Sequence, residues 1–129
     1  MRKAFWLAFV ILGVAATPAL ATSSFQDTCS NIGFAYAADN SATLQAVCLR
    51  ADGTANKTSL VLQGISNQNG KLTQGSGASS FQKSCGNIQI LVNGPYVTLA
   101  AYCRMTNGSS NSTSLSLNGI SNQNGTLKQ

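Results

Sequence analysis

Seven residues, Gly64-Ile65-Ser66-Asn67-Gln68-Asn69-Gly70, recur letter for letter at Gly119-Ile120-Ser121-Asn122-Gln123-Asn124-Gly125. Each copy follows a Ser-Leu-x-Leu run (Ser59 to Leu62, Ser114 to Leu117) and precedes a leucine, Leu72 or Leu127. A short motif arising twice by chance would not bring its neighbours with it, so a whole structural unit is duplicated. The Asn-Gly pair that ends each copy favours positive φ, as in the tight turns that join two strands.

The duplication extends upstream. Ser23-Ser24-Phe25-Gln26 matches Ser79-Ser80-Phe81-Gln82, and Cys29, Asn31 and Ile32 match Cys85, Asn87 and Ile88. The offset is 56 at the first cysteine of each copy and 55 at the second, which places a one-residue length change near Asp39-Asn40-Ser41 and Asn93-Gly94-Pro95. Both stretches are rich in turn formers, where such a change is tolerated. Repeat one therefore spans 23–74 and repeat two 79–129, with a short Gly/Ser joint at 75–78 that reads as flexible.

Within each repeat the periodicity is that of strands. Leu44, Ala46 and Cys48 alternate with Thr43, Gln45 and Val47; Val97, Leu99, Ala101 and Cys103 alternate with Tyr96, Thr98, Ala100 and Tyr102. A second strand follows through Leu60 and Leu62, or Leu115 and Leu117, after turns at Asp52-Gly53 and Asn107-Gly108. No helical stripe is present, although the Ser-Ser-Phe-Gln openings suit a single helical turn capped by serine. Phe25, Phe81, Ile65, Ile120, Leu72 and Leu127 complete the expected core. Neither repeat alone has enough apolar surface, so the two are expected to share one core.

Residues 1–21 read as a cleaved secretory signal: Arg2 and Lys3, an apolar run from Ala4 to Ala16, then Ala19-Leu20-Ala21. The expected mature chain begins near Thr22 and is secreted or periplasmic, with no membrane insertion. It has no His, Glu or Trp, and six basic against three acidic side chains, a net of about +3. The bases are scattered singly, which argues against a nucleic-acid surface.

Four cysteines in an oxidising compartment imply two disulfides. Of the three possible pairings, the repeat selects Cys29–Cys48 and Cys85–Cys103, one bridge per copy. A loop of this size is worth roughly 3 kcal/mol on the chain-entropy model. A metal centre is not expected, because the spacing is wrong for zinc and no histidine is available.

Catalysis fits poorly. The only carboxylates, Asp27, Asp39 and Asp52, lie in repeat one without counterparts in repeat two, and no nucleophile has a visible base. Binding fits better, without a cofactor. Turns dense in Asn, Gln, Ser and Thr on a braced β scaffold offer many neutral donors and acceptors, the chemistry a polyol requires. The same residues also favour turns for purely local reasons.

Two tandem copies of Phe-x-x-[Ser/Thr]-Cys-x-Asn, a second cysteine, a Leu-x-Leu strand and Ile-x-Asn-x-Asn-Gly-x-Leu resemble the cyanovirin-N family of lectins over essentially the whole mature chain. The resemblance implies an all-β fold: two tandem pseudo-symmetric repeats forming one cyanovirin-N-like domain, each with a three-stranded sheet plus a hairpin, and strands exchanged between copies. It implies binding of high-mannose glycans or glycoproteins through α(1→2)-linked mannose without metal, by a monomer or a domain-swapped dimer. The alternative is a structural or protein-interaction module on the same scaffold that has lost sugar binding.

Carried over position by position, the resemblance implies two carbohydrate sites. The first joins Ser24, Asp27 and Thr28, the turn Leu49-Arg50-Ala51, and Asn122, Gln123 and Asn124. The second joins Ser66, Asn67, Gln68 and Asn69 with Ser79, Ser80, Lys83 and Ser84 and with Arg104, Met105 and Thr106. Leu49, Ser66 and Lys83 stand where the family often has acidic residues, and Ala51 and Met105 where it has hydroxyls. Each unpaired sugar hydroxyl in a partly desolvated pocket costs on the order of 1–3 kcal/mol. The first site, which keeps Asp27, is expected to be slightly the stronger. Asn67 and Asn122 are equally suited to closing Asx turns. Tyr36, Tyr96 and Tyr102 could stack on a sugar but more often cover core. Asn56, Asn107, Asn111 and Asn124 match the N-glycosylation pattern.

Overall fold

The computed structural model describes residues 22–129, so the expected signal segment lies outside the described residues. Among the described residues ten strands run in order: β1 (Cys29–Tyr36), β2 (Ala42–Leu49), β3 (Ala55–Val61), β4 (Gln63–Gln68), β5 (Lys71–Ala78), β6 (Cys85–Asn93), β7 (Tyr96–Arg104), β8 (Ser110–Ser116), β9 (Ser121–Gln123) and β10 (Thr126–Lys128). They form two antiparallel three-stranded sheets, β1-β2-β3 and β6-β7-β8, and two hairpins, β4-β5 and β9-β10. This is the all-β, two-repeat architecture expected from the duplication.

Both Asn-Gly pairs make the tight turns predicted for them. Asn69 and Gly70 have φ of 51° and 87°, and Asn124 and Gly125 have φ of 51° and 90°. Positive φ at both central residues is the geometry whose twist matches the flanking strands. The length change falls in the connections between the first two strands of each sheet. Residues 37–41 join β1 to β2, whereas only Gly94 and Pro95 join β6 to β7.

The hairpins do not lie on the sheets of their own repeats. β5 packs beside β8, and β10 beside β3. Backbone groups and threonine hydroxyls join them across repeats: Leu72 N donates to Thr113 Oγ1 at 3.1 Å, and Leu127 N to Thr58 Oγ1 at 3.1 Å. Each half of the molecule thus combines the sheet of one repeat with the hairpin of the other.

One core runs through both halves. Phe25, Phe81, Leu44, Leu99, Leu62, Ile65, Ile120, Leu72, Leu117 and Leu127 are all buried in a single cluster, together with Cys48 and Cys103. Phe34 of β1 meets Phe81 edge to face at 6.1 Å between ring centroids, a direct contact between repeats. Leu60 and Leu115 are only partly buried and pack against the cluster's edge. The disulfides are Cys29–Cys48 and Cys85–Cys103, one in each repeat, tying β1 to β2 and β6 to β7.

Two local expectations are corrected. The openings do form single 3-10 turns, Phe25–Asp27 and Phe81–Lys83, but neither Ser24 nor Ser80 caps its turn through its side chain. The serine before each is the structural one. Ser23 Oγ donates to Leu117 O at 2.8 Å and accepts from Ile120 N at 3.2 Å. Ser79 Oγ likewise donates to Leu62 O and accepts from Ile65 N at 2.9 Å. A hydroxyl that satisfies two backbone groups of the partner repeat is worth more here than a cap on a three-residue turn. The second correction concerns the joint at 75–78. It is not loose chain: β5 continues through it to Ala78, which pairs with Gln63.

Candidate functional site

Each half presents the same construction where the 3-10 turn, the turn after the second cysteine and the foreign hairpin meet. In the first half Asn122 is the hub. Its Nδ2 donates to Thr28 Oγ1 and to Leu49 O, both at 2.9 Å, and its Oδ1 accepts from Gly125 N at 2.7 Å. Asn124 Oδ1 accepts from Ala51 N at 2.8 Å, and Asn56 Nδ2 donates to Gly125 O at 2.8 Å. In the second half Asn67 Nδ2 donates to Ser84 Oγ and Arg104 O at 2.9 Å, and Asn67 Oδ1 accepts from Gly70 N at 2.7 Å. Asn69 Oδ1 accepts from Thr106 N at 2.8 Å and from its hydroxyl at 3.0 Å.

Of the residues carried over from the family, these bonds join Thr28, Leu49, Ala51, Asn122 and Asn124 in one cluster and Asn67, Asn69, Ser84, Arg104 and Thr106 in another, each mixing both repeats. The two asparagine hubs have both amide hydrogens engaged inside the protein. Each accepts from the glycine three residues on, one residue beyond the expected Asx turn, and so braces its hairpin turn while seaming the hairpin to the other repeat's sheet. Ser79 is committed to the backbone contacts given above. Gln123 Nε2 and Gln68 Nε2 donate to Ser121 Oγ and Ser66 Oγ, at 2.8 and 2.9 Å. Ser24, Asp27, Ser80, Lys83 and Arg104 are exposed at the rims.

The rims differ between halves. Asp27 corresponds to Lys83, Leu49 to Arg104, Arg50 to Met105 and Ala51 to Thr106. Arg50 is folded onto its own turn: Nη2 donates to Asn56 Oδ1 at 2.8 Å and Nη1 to Thr54 Oγ1 at 3.2 Å. Asp52 sits in the same turn, its carboxylate accepting from Thr54 N at 2.9 Å and Thr54 Oγ1 at 2.6 Å. The Thr54 bonds, with a smaller contribution from Arg50, hold the Asp52 carboxyl below its ordinary pKa. Asp39 is lowered in the same way by Ser41.

A cavity of about 400 Å³ opens in the second half, lined by Lys83, Ser84, Cys85, Gly86, Asn87, Tyr102, Arg104 and Ser110. Lys83, Ser84 and Arg104 belong to the second predicted site. Asn87, Tyr102 and Ser110 were not assigned to it. Asn87, at φ 51° in the bulge between Gly86 and Gln89, had a visible signal in the Cys-x-Asn motif of both copies. A second cavity of about 450 Å³ lies on the β1-β2-β3 sheet and includes none of the predicted site residues. Its counterpart on the other sheet, bordered by Tyr102, holds about 150 Å³.

Comparison with known proteins agrees with this architecture. The profile of the CVNH domain matches residues 25–128. Among solved structures, microvirin in a complex with mannobiose is 30% identical, over 82% of this chain and 97% of that one, with a TM-score of 0.60. The CVNH protein of T. borchii is 29% identical over 81% and 97%, also at 0.60. A MoCVNH3 variant in complex with (N-GlcNAc)4 is 20% identical over 86% and 99%, at 0.63, a likeness of fold alone. No curated protein matches the chain. With its whole repeat structure covered by the profile, the chain belongs to the CVNH family, the cyanovirin-N homologues.

Proposed function

We propose that this protein is a secreted lectin that recognises mannose-type oligosaccharides, with α(1→2)-linked mannose as the preferred unit, and that it does so without a metal or cofactor. The observation that carries the reading is the likeness to microvirin, whose structure holds mannobiose and of which this chain covers 97% at 30% identity. The site chemistry supports it. Both rims present exposed serines and flexible polar side chains beside rigid Asn-rich hairpin turns. Such groups can donate to and accept from sugar hydroxyls without the desolvation cost of buried charge. Two of the three carboxylates, Asp39 and Asp52, are hydrogen-bonded within their own turns, a poor arrangement for acid–base chemistry.

The test is chemical-shift mapping of the ¹⁵N-labelled protein during titration with an α(1→2)-dimannoside. The expected result is saturable shifts at Asp27, Thr28 and Leu49 to Ala51, with Asn122 to Asn124. Silence at millimolar sugar would refute the reading and leave the protein-interaction module as the use of this scaffold. N-terminal sequencing of the exported protein is expected to begin near Thr22.

A further inference from the structure

The two halves offer a ligand opposite charges. In the first, the exposed rim carboxylate is Asp27, and Arg50 is folded onto Asn56 and Thr54. In the second, Lys83 and Arg104 border the same cavity, and none of its eight lining residues bears a carboxylate. Asp39, in the turn that Gln82 Nε2 reaches at Asn40 O, is not among the lining residues, and its carboxylate accepts from Ser41 N at 3.0 Å. We propose that the second-half cavity is a subsite for an anionic saccharide, a sugar carrying phosphate, sulfate or carboxylate. This rests on the lectin reading and assigns one of its two sites a different ligand class from the neutral mannoside.

The geometry suits that ligand in four respects. A guanidinium and an ammonium on one concavity can share a single anion, with charge-assisted bonds stronger than those to a neutral hydroxyl. Ser84 Oγ accepts from Asn67 Nδ2, which leaves the Ser84 proton to donate. Tyr102, 51% exposed, flanks the cations with an aromatic face for the pyranose ring. A volume of about 400 Å³ admits one to two sugar units. The opposite substitution at the matched positions, Asp27 and Leu49, gives the first half no such pair.

The experiment is shift mapping at low ionic strength with five probes: the neutral α(1→2)-dimannoside, the same disaccharide bearing a 6-phosphate, its 6-sulfate, a glucuronic-acid disaccharide, and inorganic phosphate alone. At the amides of residues 83–87 and 102–104, at least one anionic sugar should bind about tenfold tighter than the neutral one, since net gains for bonds to charged groups reach that scale. The advantage should shrink several-fold in 0.5 M salt. Lys83→Gln with Arg104→Gln should abolish it, while the neutral dimannoside continues to bind the first half. Which anionic arm is tightest identifies the acidic group. If the neutral dimannoside binds the second half as tightly as every anionic sugar, the proposal is overturned while the lectin reading stands. If inorganic phosphate binds as tightly as the phosphosugar, the saccharide claim is overturned. If no sugar binds either half, both readings fall together.

Discussion

The two halves are built by the same rules and diverge in two places, the rims of the candidate sites and the lengths of the hairpins. Their seams are nearly superimposable in chemistry: Asn122 and Asn67 make the same three bonds, to Thr28 or Ser84, to Leu49 O or Arg104 O, and from Gly125 N or Gly70 N. Leu127 and Leu72 bond Thr58 and Thr113 at the same distance. The rims share a serine, Ser24 or Ser80, but differ in charge: Asp27 stands where Lys83 does, and Leu49 where Arg104 does. The seam residues are constrained by a partner inside the protein, whereas each rim side chain answers to solvent or ligand. Identity between the repeats therefore marks what holds the fold, and difference between them marks where ligand preference is set.

The largest expected departure from this equivalence is at a glycine. Gly64 and Gly119 hold the same place after β3 and β8, at φ 73° and 71°. A Cβ on Gly64 would meet the carbonyl of Gly75, with its carbon at 2.6 Å, because β5 runs on through the 75–78 segment and folds back over it. A Cβ on Gly119 would meet nothing within 4 Å. Gly119→Ala should cost about 1 kcal/mol, the strain of a left-handed residue. Gly64→Ala adds a backbone collision and should cost about 3 kcal/mol in urea unfolding. Equal losses would mean that the β5 extension yields freely, and that the halves are more alike than they look.

The next effect should be symmetric. Asn67→Ala and Asn122→Ala each remove three hydrogen bonds and leave the amide of a buried glycine without its acceptor. Each should lower stability by about 2 kcal/mol. Agreement between the two within about 0.5 kcal/mol would sharpen the claim that the seams bear equal load. A large disparity would break it and show that one half leads the fold.

Much of this was legible before any coordinates. The heptapeptide announced its turn, and the matching of Cys29 with Cys85 and Cys48 with Cys103 fixed the bridges, because a repeat carries its own covalent constraints. The alternation through β2 and β7 identified the core. What local rules could not supply was the far end of each long-range bond. The tight turn at Asn124-Gly125 was readable from Asn-x-Asn-Gly, yet the donation of Asn122 to Thr28 and Leu49 depends on the hairpin landing on the other repeat. Serine capping failed for the same reason: the propensity of Ser24 is local, while Ser23 is held by Leu117 and Ile120, ninety-odd residues away. The joint at 75–78 looked flexible from its Gly and Ser content, but pairing of Ala78 with Gln63 outweighs composition. The candidate sites were legible as positions, through the family likeness. Lys83, Ser84 and Arg104 of the second-half cavity came with that likeness, but its Asn87, Tyr102 and Ser110 walls did not, since they lie on three neighbouring strands and Tyr102 has Val47 as its counterpart in the other repeat.

The smallest expected effect concerns one turn that both repeats build with different atoms. Asp52 Oδ1 accepts from Thr54 N and Thr54 Oγ1, and Asn107 Oδ1 accepts from Ser109 N and Ser109 Oγ, at closely similar distances. Only the carboxylate titrates. Its folded pKa lies below the ordinary value of 3.8, so the unfolded chain binds the proton more readily than the folded one. The resulting stability is present above the unfolded pKa and is lost as pH falls through the folded value. Acid should therefore weaken the repeat-one turn and leave its repeat-two counterpart untouched. Asp52→Asn, which copies the second repeat, should remove part of the acid dependence of the unfolding midpoint and leave the midpoint at pH 7 nearly unchanged, because the group is solvent-exposed. An acid profile of Asp52→Asn identical to that of the unaltered protein would show that the two turns are energetically interchangeable, and that the charge difference between the halves has no consequence for folding.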